Sequence, residues 1–242
     1  FKKENGTNKN QVFDDYSAYE HFFSIFVHEI TNPISSIKIA SQLIEKSKSY
    51  DAELLNIINN ECIRITKVIN SISQISSKLV LRNKSSENIH EILRYSTFKI
   101  KNKVKELKIF EEFDPSLPKI FIDKSLFIQV FENLLNNAFE ALNLSEKSFI
   151  KLSTKFIYGE TVKIPNIKEN QKKNHILITI EDNGSGIKKN ELSKIFLPFF
   201  STKKRGLGIG LYLVKRIVNL HDGQISVECT DNLTSFRIKL PL

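Results

Sequence analysis

The sequence predicts an α plus α/β fold, in which a helical hairpin that pairs into a dimeric four-helix bundle is followed by an α/β sandwich domain. Three observations carry this. Apolar residues recur at steps of three and four between residues 12 and 80. Helix and strand patterns alternate after residue 88. Between them, Ser85-Ser86-Glu87-Asn88 forms a polar break. The expected domains are a polar lead-in at 1–11, the hairpin at 12–82 and the sandwich at 83–242.

The first helix is expected over Val12–Lys48, with Phe22, Ile25, Phe26, Ile30, Ile34, Ile37 and Ile44 on its apolar stripe. Pro33 lies within it and should kink the helix or loosen a turn, because proline removes a hydrogen bond. Asp51 is a candidate N-cap for the second helix after the polar connection at 46–51. Leu55, Ile58, Cys62, Ile65, Ile69, Ile72 and Leu79 then follow a heptad-like seam, with Ser76 its weak link. Two single-stripe helices cannot hide both stripes as an isolated hairpin. Pairing two hairpins does so, and a homodimer through residues 12–80 is expected.

The second domain reads as a helix over His90–Lys105, short strands at Ile109–Phe113 and Lys119–Ile122, and a helix over Lys124–Leu142. Strands follow near Ile150–Tyr158 and His175–Glu181, then a helix over Leu207–Leu220 and strands at Gln224–Cys229 and Ser235–Leu240. Thr161–Asn174 is polar and reads as an exposed loop.

Composition bounds the chemistry. The 242 residues are 40% hydrophobic and 26% charged, which suits a globular chain with a proper core. The net charge of +9 comes from scattered lysines without a nucleic-acid-binding motif, so no nucleic-acid partner is expected. Cys62 and Cys229 lie far apart without metal-ligand spacing and read as two buried thiols in a reducing compartment. No run reaches the ~20 apolar residues that span a bilayer. The chain opens on Phe1-Lys2-Lys3-Glu4-Asn5 without a methionine and looks like a fragment, so any membrane anchor would lie upstream.

Four stretches carry candidate chemistry. In Phe26-Val27-His28-Glu29-Ile30-Thr31-Asn32-Pro33, Asn32 lies one turn along the helix face from His28, and Glu29 is adjacent. A carboxylate that holds one ring proton leaves the other nitrogen as a nucleophile; a structural histidine is the alternative. On the helix after Asp123, Asn133 and Asn137 share a face, where neutral amide oxygens can ligate a magnesium ion that keeps its waters and phosphate oxygens. Ile176-Leu177-Ile178-Thr179-Ile180 leads into Glu181-Asp182-Asn183-Gly184-Ser185-Gly186-Ile187. There Asp182 can accept from an exocyclic amine, while Gly184 and Gly186 let a flat ring approach. Asp-Asn-Gly is also a common turn. Lastly, Lys203-Lys204-Arg205-Gly206-Leu207-Gly208-Ile209-Gly210-Leu211 places three alternate glycines and three cations at a helix start, as an anion site requires.

Taken in order, these stretches resemble the sensor histidine kinases of two-component signalling, from about residue 20 to 242. His28-Glu29-x-x-Asn32-Pro33 resembles the H-box, Asn133–Asn137 the N-box, Asp182-x-Gly184-x-Gly186 the G1 box, Phe196–Phe200 the F-box and Gly206-x-Gly208-x-Gly210 the G2 box. Pro198-Phe199-Phe200-Ser201-Thr202-Lys203 and Glu140-Ala141 look most like the nitrogen-regulation branch. The resemblance implies a phosphotransfer hairpin joined to a Bergerat-type (GHKL) ATP-binding domain. Asp182 would read the adenine amine; Asn137, helped by Asn133, would hold Mg²⁺; Gly184 and Gly186 would shape the adenine site. Gly206, Gly208, Gly210 and the adjoining Leu211, with Lys203, would cradle the phosphates. His28 would attack the γ-phosphate, with Glu29 as general base. The phosphoryl group would pass to an aspartate of a response-regulator receiver domain, and Asn32 would position water for the reverse, phosphatase activity. A cytoplasmic location is expected.

Glu140 stands where the family often has Lys, Leu207 where Thr is usual, and His221-Asp222-Gly223 where His-Gly-Gly is common. Two rivals remain. ATP hydrolases of the same superfamily place a glutamate base one turn before the metal-binding Asn, whereas this chain has Asn133 there and Glu132 about 100° away. A degenerate dimeric scaffold would lack the intact motifs.

Overall fold

The computed structural model describes residues 7–47, 51–76, 81, 83–101, 107–142, 147–161, 172–203, 206, 208–230 and 233–242. The chain divides into two compact units, residues 1–78 with 198–209, and residues 79–197 with 210–242.

In the first unit, α1 (Thr7–Ser47) and α2 (Ala52–Ser76) pack as a hairpin. α1 starts five residues before the expected boundary, within the segment expected to be a polar lead-in. It also runs unbroken through Pro33, which is buried. Proline forfeits only its own bond to the Glu29 carbonyl, and burial of its ring in the hairpin offsets that loss. Asp51 caps α2 as expected, with Oδ1 accepting from the backbone N–H groups of Glu53 and Leu54 at 2.9 and 3.2 Å.

The α2 seam splits in two. Ile58 and Ile65 are half-buried and Val68 is buried, whereas Leu55, Cys62 and Ile69 form an outward stripe at seven-residue spacing. On α1, Pro33 and Ala40 are buried, while Val27 and Ile34 face outward. A heptad pattern does not say which of its positions meets which partner. Cys62 is therefore exposed and Cys229 half-buried, and neither is the deeply buried thiol expected. Leu79 lies outside the described residues, as do the side chains of Phe22, Ile25 and Ile72.

The second unit holds a five-stranded sheet in the order β2-β4-β5-β7-β6, where β2 is Lys108–Glu112, β4 Phe149–Thr161, β5 Lys172–Asp182, β6 Gln224–Thr230 and β7 Leu233–Pro241. β2 runs parallel to β4, and the other pairs are antiparallel. A separate pair joins β1 (Lys84–Glu87) to β3 (Ile120–Asp123). β1 occupies the stretch expected to be a linker; its Lys-Ser-Ser-Glu sequence has no apolar alternation, so only the backbone ladder to β3 makes it a strand. β4 and β5 extend into the expected loop, whose remaining residues, 162–171, lie outside the described set.

Three helices, α3 (Ile89–Lys101), α4 (Lys124–Ala141) and α5 (Gly210–Leu220), complete the sandwich. α4 packs against α3, α5 and β5. Its Phe127, Val130, Phe131, Leu134, Leu135 and Ala138 are all buried, each large side chain contributing about 1.5–3 kcal/mol. On β5 Ile176, Ile178, Ile180 and Asp182 are buried at a period of two, with His175 buried as well at the start of the run. Asp182 therefore shares the inward face with three isoleucines, between Ile150 on β4 and Thr234 on β7.

The start of α4 is locked by two buried polar side chains. Asp123 caps the helix, its Oδ1 accepting from the N–H groups of Ser125 and Leu126. Its own N–H donates to His221 Nε2 at 3.0 Å, while His221 Nδ1–H donates to the Ile217 carbonyl at 2.8 Å. His221 is thereby fixed as the neutral Nδ1–H tautomer, and burial holds its pKa below the usual value. Asp222, next in the chain, has φ +58. That helix-terminating left-handed position suits glycine, which explains why glycine is common there.

Candidate functional site

Within the sheet-containing unit, α4 is the axis on which two glycine motifs are built. At its C-terminal end the Ala141 carbonyl accepts from Ser185 N–H at 2.9 Å. The fit is close enough that a Cβ on Gly184 would lie 2.6 Å from the Ala141 oxygen and 2.7 Å from Asp182 Oδ1. Gly186 has φ +74, so here glycine is required by conformation. Asn183 clips the turn to the start of β4, with Nδ2 donating to the Lys147 carbonyl and Oδ1 accepting from Phe149 N–H, both at 2.8 Å. The sequence gives no hint of this clip, because it depends on β4 being the neighbour of β5.

Asp182 is 2% exposed. Burial raises its pKa to about 6, opposed by the Gly184 N–H that donates to Oδ1 at 2.9 Å and assisted by the nearby Glu181. A carboxylate held at a strand end in an apolar wall, one oxygen already occupied, has its second oxygen to offer to a donor such as an aromatic amine.

One helix face further back, Asn133 Nδ2 donates to the Gln129 carbonyl at 3.0 Å. This turns Oδ1 toward α5, where a Cβ on Gly210 would lie 3.0 Å from it. The amide oxygen therefore abuts the N-terminus of α5, whose first backbone N–H groups lack helical partners. Asn137 lies one turn along and is half-buried, as are Asn136 and Leu211. Asn133 is thus beside a place where anionic oxygens would be held, and neutral oxygen donors suit a hard cation. Among the described residues there is no cluster of three or more His, Cys, Asp or Glu side chains. Glu132 pairs with Lys99 of α3 at 2.6 Å, committed to a different face of α4.

The segment carrying the other two glycines groups with the helical unit. Phe199 has φ +67 and donates its N–H to the Gly208 carbonyl at 3.0 Å. Gly208 has φ +64, and a Cβ there would lie 2.4 Å from the Phe200 carbonyl oxygen. Lys203 is exposed, its backbone N–H bonded to Ser201 Oγ. Lys204, Arg205 and Leu207 lie outside the described residues.

On α1, His28 is exposed and its Nδ1 lies 3.1 Å from Asn32 Nδ2. An amide nitrogen only donates, so in this pose Nδ1 accepts and Nε2 carries the ring proton. Glu29 points elsewhere. Its carboxylate binds the Arg64 guanidinium of α2 at 2.9 Å. Arg64 was invisible as a functional residue in the sequence, since only the hairpin register brings it to Glu29.

Comparison with known proteins gives two family matches. Residues 18–78 match the His Kinase A (phospho-acceptor) domain, and residues 122–242, half of the chain, match the histidine kinase-, DNA gyrase B- and HSP90-like ATPase family. The chain is 33% identical over 221 residues to the sensory histidine kinase/phosphatase NtrB of Azospirillum brasilense, covering 90% of this chain and 54% of that protein. It is 35% identical over 220 residues to the NtrB of Rhodobacter capsulatus, covering 90% and 61%. Among solved structures, the histidine kinase ThkA in complex with the response regulator protein TrrA aligns with a TM-score of 0.70 at 25% identity, covering 98% of this chain and 68% of that one. The chain thus spans little more than half the length of the NtrB proteins it matches.

Proposed function

This chain belongs to the sensor histidine kinases, and from that premise we propose that it phosphorylates His28 with ATP and passes the phosphoryl group to an aspartate of a response-regulator receiver domain. The observation that carries this is the double service of α4. The same helix sets an amide oxygen against the glycine N-terminus of α5 and anchors the turn that follows the buried Asp182. A nucleotide's base and phosphates need those two features held at fixed separation.

Asp182 accepts from the adenine amine, with Gly184 and Gly186 leaving room for the ring. The N–H groups at the start of α5 and those of Gly206 and Gly208, with Lys203, hold the phosphate oxygens, and Leu211 packs beside them. Asn137 and Asn133 provide amide oxygens for Mg²⁺, which supplies charge neutralisation on those oxygens. For transfer, His28 needs its proton on Nδ1 and a free lone pair on Nε2. That pair forms the bond to the γ-phosphorus as the bond to the bridging oxygen breaks and ADP leaves. Glu29 holds the Nδ1 proton as positive charge grows on the ring. In the reverse activity Asn32 positions the water that attacks the regulator's aspartyl phosphate.

The partners follow from the hairpin's faces. The outward stripe Leu55, Cys62 and Ile69, with Val27 and Ile34, supports a homodimeric four-helix bundle. On α1, Ile39 and Leu43 continue the side of His28 and Asn32 about three to four turns further along, where exposed apolar residues suit a receiver domain. ThkA, solved with its regulator, supports that assignment. The hydrolase alternative is disfavoured by Glu132, whose ion pair with Lys99 leaves Asn133 in the position where a water-activating carboxylate would stand. Among the described residues no helix is long and apolar enough to cross a membrane, and we assign the chain to the cytoplasmic part of its protein.

The test is incubation with labelled Mg-ATP beside His28→Gln and Asn137→Ala. The expected label is acid-labile, alkali-stable and absent from both variants. Steady release of free phosphate that survives His28→Gln would overturn the kinase in favour of a hydrolase.

A further inference from the structure

Resting on the kinase reading, the geometry of the hairpin points to Arg64 as a positioning residue that withholds Glu29 from His28 and releases it by moving to Glu61. Glu29 and His28 are chain neighbours, yet the carboxylate lies on the Arg64 guanidinium at 2.9 Å, and both side chains are largely covered, at 19% and 32% exposure. His28 Nδ1 meanwhile accepts from Asn32. The ring proton is then on Nε2, the atom that must carry the free lone pair to attack phosphorus. Both partners of the reaction are therefore held in unreactive states by named contacts.

A second observation makes this a two-position device. Glu61 sits one turn before Arg64 on α2, 3.7 Å from its other terminal nitrogen. That distance is too long for a hydrogen bond, and Glu61 Oε2 is buried with no hydrogen-bond partner among the described residues. A buried, unsatisfied carboxylate oxygen is costly. A shift of the guanidinium by about 1 Å would satisfy Glu61 in full at the expense of the Glu29 bond. Glu29, freed, can turn to Nδ1 of His28, draw the ring proton there and expose the Nε2 lone pair. One guanidinium serves two carboxylates, and in the second arrangement Glu29 exchanges Arg64 for the ring N–H of His28, so a small movement of α2 past α1 can tip the balance.

The experiment compares wild type with Arg64→Gln, Arg64→Lys, Glu61→Gln and the double variant Glu29→Gln/Arg64→Gln. Initial autophosphorylation with labelled Mg-ATP is read beside the ¹⁵N imidazole NMR signature of the His28 tautomer, which needs no turnover. We expect Arg64→Gln to raise the initial rate at least threefold and to shift His28 toward Nδ1–H. Arg64→Lys should stay near wild type, Glu61→Gln should slow labelling at least threefold, and the double variant should lose the gain. Unchanged tautomer populations in Arg64→Gln would overturn the inference, as would labelling that falls in Arg64→Gln while its melting midpoint holds. A wild type without label but with the tautomer shift in Arg64→Gln would refute the kinase reading and leave the withholding contact established.

Discussion

The two units hold their functional groups in opposite ways. In the hairpin, His28 and Asn32 are exposed and their mutual contact is a single side-chain bond, while Glu29 is one salt bridge away from a different rotamer. In the sandwich, Asp182 is buried and the turn after it is fixed by backbone carbonyls, a buried strand and the Asn183 clip. The difference fits the tasks that the proposed function gives them. A nucleophile that must meet both ATP and a regulator has to be accessible and able to change protonation state. A nucleotide pocket gains affinity and specificity from being built before the ligand arrives.

Substitutions should separate the two kinds of site. The largest effect is expected at Gly184→Ala, whose new methyl would meet the Ala141 carbonyl and Asp182 together. It should cost roughly 3 kcal/mol in denaturant unfolding of the sandwich, and fluorescent-nucleotide titration should show at least a tenfold weaker complex. If Gly184→Ala bound nucleotide normally, the turn would be as adaptable as the hairpin and the contrast would fail.

Asp182→Asn sharpens it in the other direction. With a pKa raised to about 6, Asp182 holds its proton in the folded chain at pH values where the unfolded chain has lost it. The stability this confers is fully present below the unfolded value near 3.8 and is lost as pH rises through about 6. At neutral pH the ionised group therefore destabilises the apo domain, on the order of 3 kcal/mol. Asp182→Asn should raise the thermal midpoint at pH 7.5 while abolishing adenine recognition. Wild-type nucleotide affinity should fall as pH drops through about 6, because the neutral acid is a weaker acceptor for the amine than the carboxylate. A variant that is both less stable and still able to bind would contradict the electrostatic account.

The smallest effect is expected at Asp222→Gly, which removes a side chain from a left-handed position just past the C-terminal end of α5. A gain of about 0.5–1 kcal/mol in stability with unchanged autophosphorylation is expected. A change in activity would show that the His221–Asp123 lock at the base of α4 reaches the nucleotide site.

Much of this was legible in the chain. The period of two on β5 put Asp182 on the side of Ile176, Ile178 and Ile180, and the four-residue spacing put Asn32 beside His28 and Asn133 in line with Asn137. Asp51 announced the start of its helix by chemistry that acts within three residues. Pro33 does not end its helix, and α1 continues through it to Ser47. β1 was missed because its pairing lies wholly in the backbone, and Cys62 because one heptad seam serves two different surfaces.

The sequence by itself thus determined on which element each candidate residue stands, since periodicity, capping and motif spacing are local. Only the tertiary structure decided what those residues touch. The register of α2 on α1 gives Glu29 to Arg64, the neighbouring of β4 and β5 gives Asn183 its clip, and the packing of α5 on α4 sets Asn133 against Gly210. The physical reason is one of range: propensity and periodicity act over a few residues, whereas the partner of Glu29 lies 35 positions away and that of Asn183 lies 34 and 36.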